Sequence, residues 1–455
     1  MVDSMRMSLS HLLLGSLLSS LAWSGVTVQQ DQDEFLRALQ PSEAFEDPEP
    51  ELMMAREEVL SKADQYRERS FRCLTKGVAL EEDGSVSGSG KALLPEQREF
   101  LFEVLVHGDH DDLRTYLAAE VKPTSGMIAR RTAFAVVGRF GLFEDLEAAM
   151  RLIEPEANRP GASPLGKHFE SMVTEVCRRD PDYLGRMRDL ISISPENLRE
   201  HLIHGLSLTG DPDAMQVFAR LLFESDPNVQ PALEGVGRLA LNTCEPVPDR
   251  IADSIERLLW TEDPVLLQTA LRTAGLLGEP RFAQRILEVA LNGNAGSRSA
   301  AVVALRFMSG LRFGDDPELW SSWLERETTW WSEEWDEQLA HLRSADPVEI
   351  VSALSEVAHH ALYRSEIAPE VVFLLEHDDP IIRRLACYCL AELRAYTAAE
   401  PLAKALDDFD PSVAHAACGA LGRILASGAG SDSLIMRLTQ ARNELKTSLP
   451  LEIPR

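Results

Sequence analysis

The chain is poor in the features that mark sheets, membranes and most enzyme families. Aromatic residues make up only 6% of it. No sustained alternation of Val, Ile and Thr marks a strand. No apolar run is long enough to act as a stable membrane anchor. Basic residues are scarce beside acidic ones, 45 against 73, for a formal net charge of −28. A surface of that sign repels phosphate backbones, which excludes nucleic acid as a partner. The nucleophile and zinc patterns G-x-S-x-G and H-E-x-x-H are missing. So are the P-loop and G-x-G-x-x-G. Nothing calls for a cofactor, and the chain reads as not an enzyme.

What is present is a repeated ruler. Asp226-Pro227, Asp263-Pro264, Asp346-Pro347, Asp379-Pro380 and Asp410-Pro411 each precede an apolar helix pattern in nearly the same phase. The last two lie 31 residues apart. Counting from the Asp, position +3 holds Val229, Leu266, Ile382 and Val413, with Glu349 breaking the pattern. Position +7 holds Ala270, Ala353, Ala386 and Ala417, with Leu233 in the remaining copy. Position +11 holds Gly237, Ala274, Val357, Leu390 and Leu421. Steps of four keep these residues on one helix face. An Asp N-cap accepts a hydrogen bond from an orphan amide of the first turn. Pro at the first helical position lacks only a donor that had no partner there. Second helices are expected to open at Pro280, with Phe282, Ala283, Ile286, Leu287 and Leu291 on one side. A shorter one is expected at Pro401, with Leu402, Ala405, Leu406 and Phe409. Such a pair cannot bury its own apolar face, so neighbours must stack on it. The predicted fold is all-α, an α-solenoid of stacked antiparallel helix pairs.

The segments D-P-I-I-R-R-L-A-C-Y-C-L-A-E-L (379–393) and D-P-S-V-A-H-A-A-C-G-A-L-G-R-I-L (410–425) carry a family likeness. The segment D-P-V-L-L-Q-T-A-L-R-T-A-G-L-L-G (263–278) carries a weaker one. The pattern resembles HEAT repeats, especially the short bacterial kind of phycobilisome-lyase-like proteins, over about residues 205–445. That resemblance implies a HEAT-like superhelix acting by protein interaction. It implies no lyase activity.

The N-terminus reads as a targeting segment. Arg6 supplies a weakly positive start, diluted by Asp3, and Leu12 to Ala22 form a short apolar run. Ala22, Ser24 and Gly25 offer a cleavage site. The alternative is an uncleaved amphipathic helix. The predicted organisation is a signal peptide at 1–25, then an acidic linker and helical segment with a flexible loop at 26–91. Degenerate helical repeats follow at 92–210, HEAT-like repeats at 211–447 and a loose tail at 448–455. Within this plan residues 51–80 are read as a single helix. An extracytoplasmic location, periplasmic or secreted, follows from the leader.

Six cysteines in an exported chain would suggest disulfides, but their positions argue for core sites. Cys387 and Cys418 occupy +8 of their repeats, and Cys387 and Cys389 face different sides of one helix. A Cys387–Cys418 bridge between stacked repeats is the alternative.

Five of the seven tryptophans fall close together: Trp320, Trp323, Trp330, Trp331 and Trp335. On one helix spanning 317–342 they would lie within an arc of about 140°. Leu324, Leu339 and Leu342 share or adjoin that arc, and Glu318, Glu325, Glu333, Asp336 and Glu337 lie opposite. The stripe reads first as core packing. The alternative is a surface for a glycan chain or a partner. Candidate metal ligands are weaker. His107-Gly108-Asp109-His110-Asp111-Asp112 lacks a ligand spacing and suits a helix end followed by an N-cap. His201 and His204 share a helix face without a third ligand, and of His359 and His360 only one can face a given site. No metal site is assigned.

The expected function is an exported, non-catalytic scaffold that binds a protein or peptide partner on its solenoid surface. One alternative is carbohydrate or cell-envelope binding through the Trp-rich helix. Another is a glycan-active enzyme with a site assembled across repeats.

Overall fold

The computed structural model describes residues 34–39, 48–77, 92–107, 110–153, 164–180, 182–223, 225–426 and 430–448. The expected signal peptide and the tail from 449 onward lie outside these, as do the Gly- and Ser-rich loop and most of the acidic linker. The described residues are joined helices with no strand among them, which is the predicted all-α class. They divide into two compact units, Met1–Val176 and Cys177–Arg455.

In the first unit the segment 51–80 is not one helix. Pro48–Leu60 and Ala63–Lys76 are separated by a turn at Ser61 and Lys62. The second ends at Gly77, whose φ of 70° is left-handed and suits a residue without Cβ. Pro95–Val106, His110–Glu120, Met127–Phe140 and Phe143–Ile153 follow. Their core is built on Phe100, Leu101, Leu105 and Phe134. Phe134 meets Phe169 edge to face at 5.6 Å.

The second unit carries the repeats. Its first-row helices are Val229–Thr243, Pro264–Leu277, Ala295–Ser309, Pro347–Val357, Pro380–Leu393 and Pro411–Leu425. The second row consists of Asp249–Leu258, Ala283–Asn292, Pro317–Glu333, Arg364–Phe373 and Ala399–Lys404. Asp263, Asp346, Asp379 and Asp410 are the N-caps foreseen, each accepting a first-turn amide at 2.8 to 2.9 Å. Asp226 is not one. Its carboxylate accepts the Asn228 amide at 2.8 Å in a turn, and the helix begins at Val229.

The small residues at +7 are fully buried: Ala270, Ala353, Ala386 and Ala417. So are Ala274, Val357, Leu390 and Leu421 at +11. Glu349 is exposed and the next residue, Ile350, takes the buried place.

One repeat escaped the Asp-Pro ruler. Ala295–Ser309 starts at Asn294, whose side chain accepts the Ser297 amide at 2.9 Å. Asn294 lies 31 positions after Asp263. Its +3, +7 and +11 residues are Ser297, Ala301 and Leu305, all buried. Small residues then let this helix approach Pro264–Leu277 closely. A Cβ placed on Gly275 would lie 2.5 Å from the Ala304 Cα.

Polar side chains pin one repeat to another. Buried Thr273 donates to the Leu233 carbonyl at 3.1 Å. Buried Arg364 donates to the carbonyls of Met308 at 2.5 Å and Phe307 at 3.3 Å. Arg383 grips Asp408 through two parallel bonds of 2.8 and 2.9 Å. At the far end the Gly430 amide donates to the Leu241 carbonyl at 2.7 Å.

The second-row helices depart from expectation at their starts. Three are entered through 3-10 turns, at Pro280–Phe282, Ala361–Tyr363 and Tyr396–Ala398. Pro401 sits inside Ala399–Lys404 and does not open it. Phe409 and Leu291 are exposed, not part of the buried side.

Candidate functional site

The tryptophan-rich segment is two helices, not one. Pro317–Glu333 ends at Glu334, where φ is −115° and ψ −23°, and Trp335–Leu342 follows. Asp316 caps the first, accepting the amides of Glu318 and Leu319 at 3.0 and 3.3 Å. Trp320 is buried, and its Nε1 donates to the Gly314 carbonyl at 2.9 Å. It meets Trp323 edge to face at 5.9 Å. Trp323, Trp330, Leu324 and Leu342 are buried as well.

Trp331 and Trp335 are only half-buried. Trp331 is sandwiched. Trp335 stacks on it at 4.9 Å and Tyr363 at 4.2 Å, with ring planes 16° and 7° from parallel. No open face remains on Trp331 for a sugar ring. The five tryptophans therefore divide into three that pack inside and two that close the end of the helix pair.

Sequence reasoning missed the polar centre of this cluster. His360 stacks on Trp330 at 3.5 Å and 8°. Its Nδ1 lies 3.4 Å from Glu327 Oε1 and its Nε2 lies 3.5 Å from Glu356 Oε1. Glu327 is buried, and its Oε2 meets no hydrogen-bond donor among the described residues. Burial, then the Glu327 charge, pushes the Tyr363 hydroxyl pKa upward. Spacing held a clue: Glu327 follows Trp323 by four and precedes Trp331 by four, which puts it on the apolar face. The group joins Pro317–Glu333 to the turn after Pro347–Val357. A carboxylate and an imidazole thus meet on an indole face inside an otherwise apolar cluster.

The other candidates separate. His359 is exposed and His360 alone enters the cluster. His201 is buried and His204 half-buried. Gly108 and Asp109 lie outside the described residues, and His107 is exposed. Among the described residues no three His, Cys, Asp or Glu side chains gather to hold a metal ion. All six cysteines are free and buried. Burial pushes the Cys387 thiol up to about 12 and the Cys244 thiol to about 11, so neither offers a thiolate at neutral pH. No described helix is long and apolar enough to cross a membrane.

A surface feature is stronger than any of these. Along the edge where second-row helices turn into first-row ones, large apolar side chains face solvent. Val348 is 74% exposed, Phe373 82%, Ile381 51% and Phe409 84%. Val348 and Ile381 share position +2 of consecutive repeats, as does exposed Val265 further along. Arg383 lies over the Phe409 ring at 4.5 Å. Carboxylates of Asp346, Asp378, Asp379, Asp407 and Asp410 alternate with these groups in the same turns.

Residues 368–448 match the family of HEAT repeats. No curated protein matches the chain. Among solved structures the chain is similar to Kap121p bound to Pho4p, with 10% identity, a TM-score of 0.30, and coverage of 88% of this chain and 57% of that one. It is also similar to Kap121p bound to Nup53p, with 11% identity, a TM-score of 0.30 and coverage of 88% and 56%. The karyopherin Kap121p bound to the extreme C-terminus of the phosphatase Cdc14p gives 12%, 0.29, 88% and 56%. The chain thus spans little more than half the length of these proteins.

Proposed function

We propose that this HEAT-repeat chain is a non-catalytic scaffold that binds a protein or peptide partner along the edge of its repeats, outside the cytoplasm. The observation that carries this reading is the row of Val348, Phe373, Ile381 and Phe409. Lone exposed apolar residues are ordinary, but here two phenylalanines and two β-branched residues recur near the turns of consecutive repeats. Exposed aromatic groups are the usual anchors of a protein contact. The repeat array supplies an extended surface, and the acidic turns beside these residues disfavour nucleic acid.

The test is capture from an extracytoplasmic extract of the native host, using the mature chain as bait. A Phe373→Ser/Phe409→Ser double variant should lose the specifically captured protein. An Ile193→Ser variant, altered at an exposed apolar residue of an earlier repeat, should retain it. Equal capture by the parent and the double variant would move the contact elsewhere. Export rests on the apolar run Leu12 to Ala22 behind Arg6. N-terminal sequencing of protein from the native host should find cleavage near Ala22 to Gly25. An intact start on a cytoplasmic protein refutes that part of the proposal.

A further inference from the structure

The first unit contains a cavity of about 240 Å³ between the helices His110–Glu120, Met127–Phe140 and Phe143–Ile153. That is well above the roughly 10–15 Å³ that a single water needs. Close-packed interiors leave few voids larger than a single water. Here the gap exists because the facing positions Ala133, Ala148 and Ala149 are small. Leu117, Val121, Val137 and Leu152 complete an apolar wall.

Two cations, Lys122 and Arg151, stand at the rim, exposed to solvent. Among the described residues no ion pair engages either one. The acid of the lining, Asp145, is buried and engaged at the start of its own helix. Its Oδ2 accepts the Leu142 amide at 2.8 Å. The wall therefore attracts an apolar body, and the rim attracts a negative head.

We infer that this cavity binds a small amphiphile with a short apolar body and a single anionic head, a carboxylate or a phosphate. The body would lie against Ala133, Val137 and Leu152, and the head would sit between Lys122 and Arg151. A neutral amphiphile of the same length would gain the wall but not the rim. The site lies in residues 117–152 of the first unit and does not depend on the scaffold reading.

Isothermal titration of the full chain with octanoate, octyl phosphate and 1-octanol tests it. Saturable binding of octanoate or octyl phosphate is expected, and the tighter of the two names the head. Lys122→Gln/Arg151→Gln changes only exposed side chains, and circular dichroism should confirm an unchanged fold. It should weaken the anionic probe roughly five- to tenfold and leave octanol unaffected. Ala148→Phe, placed in the cavity wall, should weaken all three probes. The inference is overturned if neither anionic probe binds the parent, or if the double glutamine variant binds them as tightly as the parent does.

Discussion

At the scale of single residues, the repeats are held by what is absent as much as by what is present. Gly275 and Gly419 both lie inside first-row helices, where alanine is intrinsically better by about 1 kcal/mol. Their surroundings reverse one of the two outcomes. A Cβ on Gly419 meets nothing within 4 Å, so Gly419→Ala should raise the urea midpoint by the propensity gain. A Cβ on Gly275 would strike the Ala304 backbone. Gly275→Ala should therefore force the helices apart and lose about 1–3 kcal/mol. If both substitutions stabilise, the close approach is wrong. The Arg383–Asp408 pair makes a different prediction. Both side chains are largely buried, and the Arg383 hydrogen bonds hold the Asp408 carboxyl below its ordinary value. A carboxylate with a depressed folded pKa stabilises above its unfolded pKa of about 3.9, and the benefit is lost as pH falls through the folded value. Asp408→Asn should thus lower stability by about 3 kcal/mol at pH 7. The gap to the parent should shrink below about pH 4. Urea midpoints across that range decide it, and a gap constant down to pH 3 removes the charge from the explanation.

At the scale of elements, the helix faces were readable because burial and period agree. Ala386 and Ala417 recur in phase, and both are fully buried. The repeat at Asn294 was missed only because Asn-Ala replaces Asp-Pro, although Ala301 and Leu305 kept the register. Phe409 was misplaced for a geometric reason. The segment Ala405–Asp407 is 3-10, with 3.0 residues per turn, so a count at 3.6 rotates the next positions wrongly. That error hid the exposed edge on which the scaffold reading rests. The tryptophan stripe was legible, but its break at Glu334 was not, since no Gly or Pro marks it. The Glu327–His360 pair was illegible for another reason: it depends on a turn in the next repeat, and local spacing cannot report that. The break also grades the tryptophans. Trp320 is 1% exposed and hydrogen-bonded, so Trp320→Ala should cost about 3–5 kcal/mol. Trp331 is half-buried, with its ring faces covered by Trp335 and Tyr363. Trp331→Ala should cost less, about 2 kcal/mol, mainly lost stacking area. Equal thermal shifts in the two variants would mean that Trp331 is as deeply packed as Trp320.

At the scale of the molecule, composition and period together gave the all-α class, while tertiary polar contacts lay beyond both. An array of helix pairs is stable only if its last pair is covered. In the second unit that cover is Asp432–Ser448, which buries Leu434, Leu438 and Ala441 beside Pro411–Leu425. Just ahead of it, the Gly430 amide reaches back to the Leu241 carbonyl at 2.7 Å, joining the last repeat to an early one. This bond means that the end of the array acts on residues far from it in sequence. A chain ending at Ala426 would lose both the apolar cover and the link. Losing the burial of Leu434 and Leu438 against the repeat costs about 1.5–3 kcal/mol each. For a unit of this size the melting temperature should fall by roughly 10 °C. It should fall as one transition, because Leu241 is released together with the terminal repeat. Differential scanning calorimetry of the shortened chain separates the cases. A new, low-temperature shoulder with the main transition unmoved would mean that the last repeat frays alone and that the Leu241 link carries nothing.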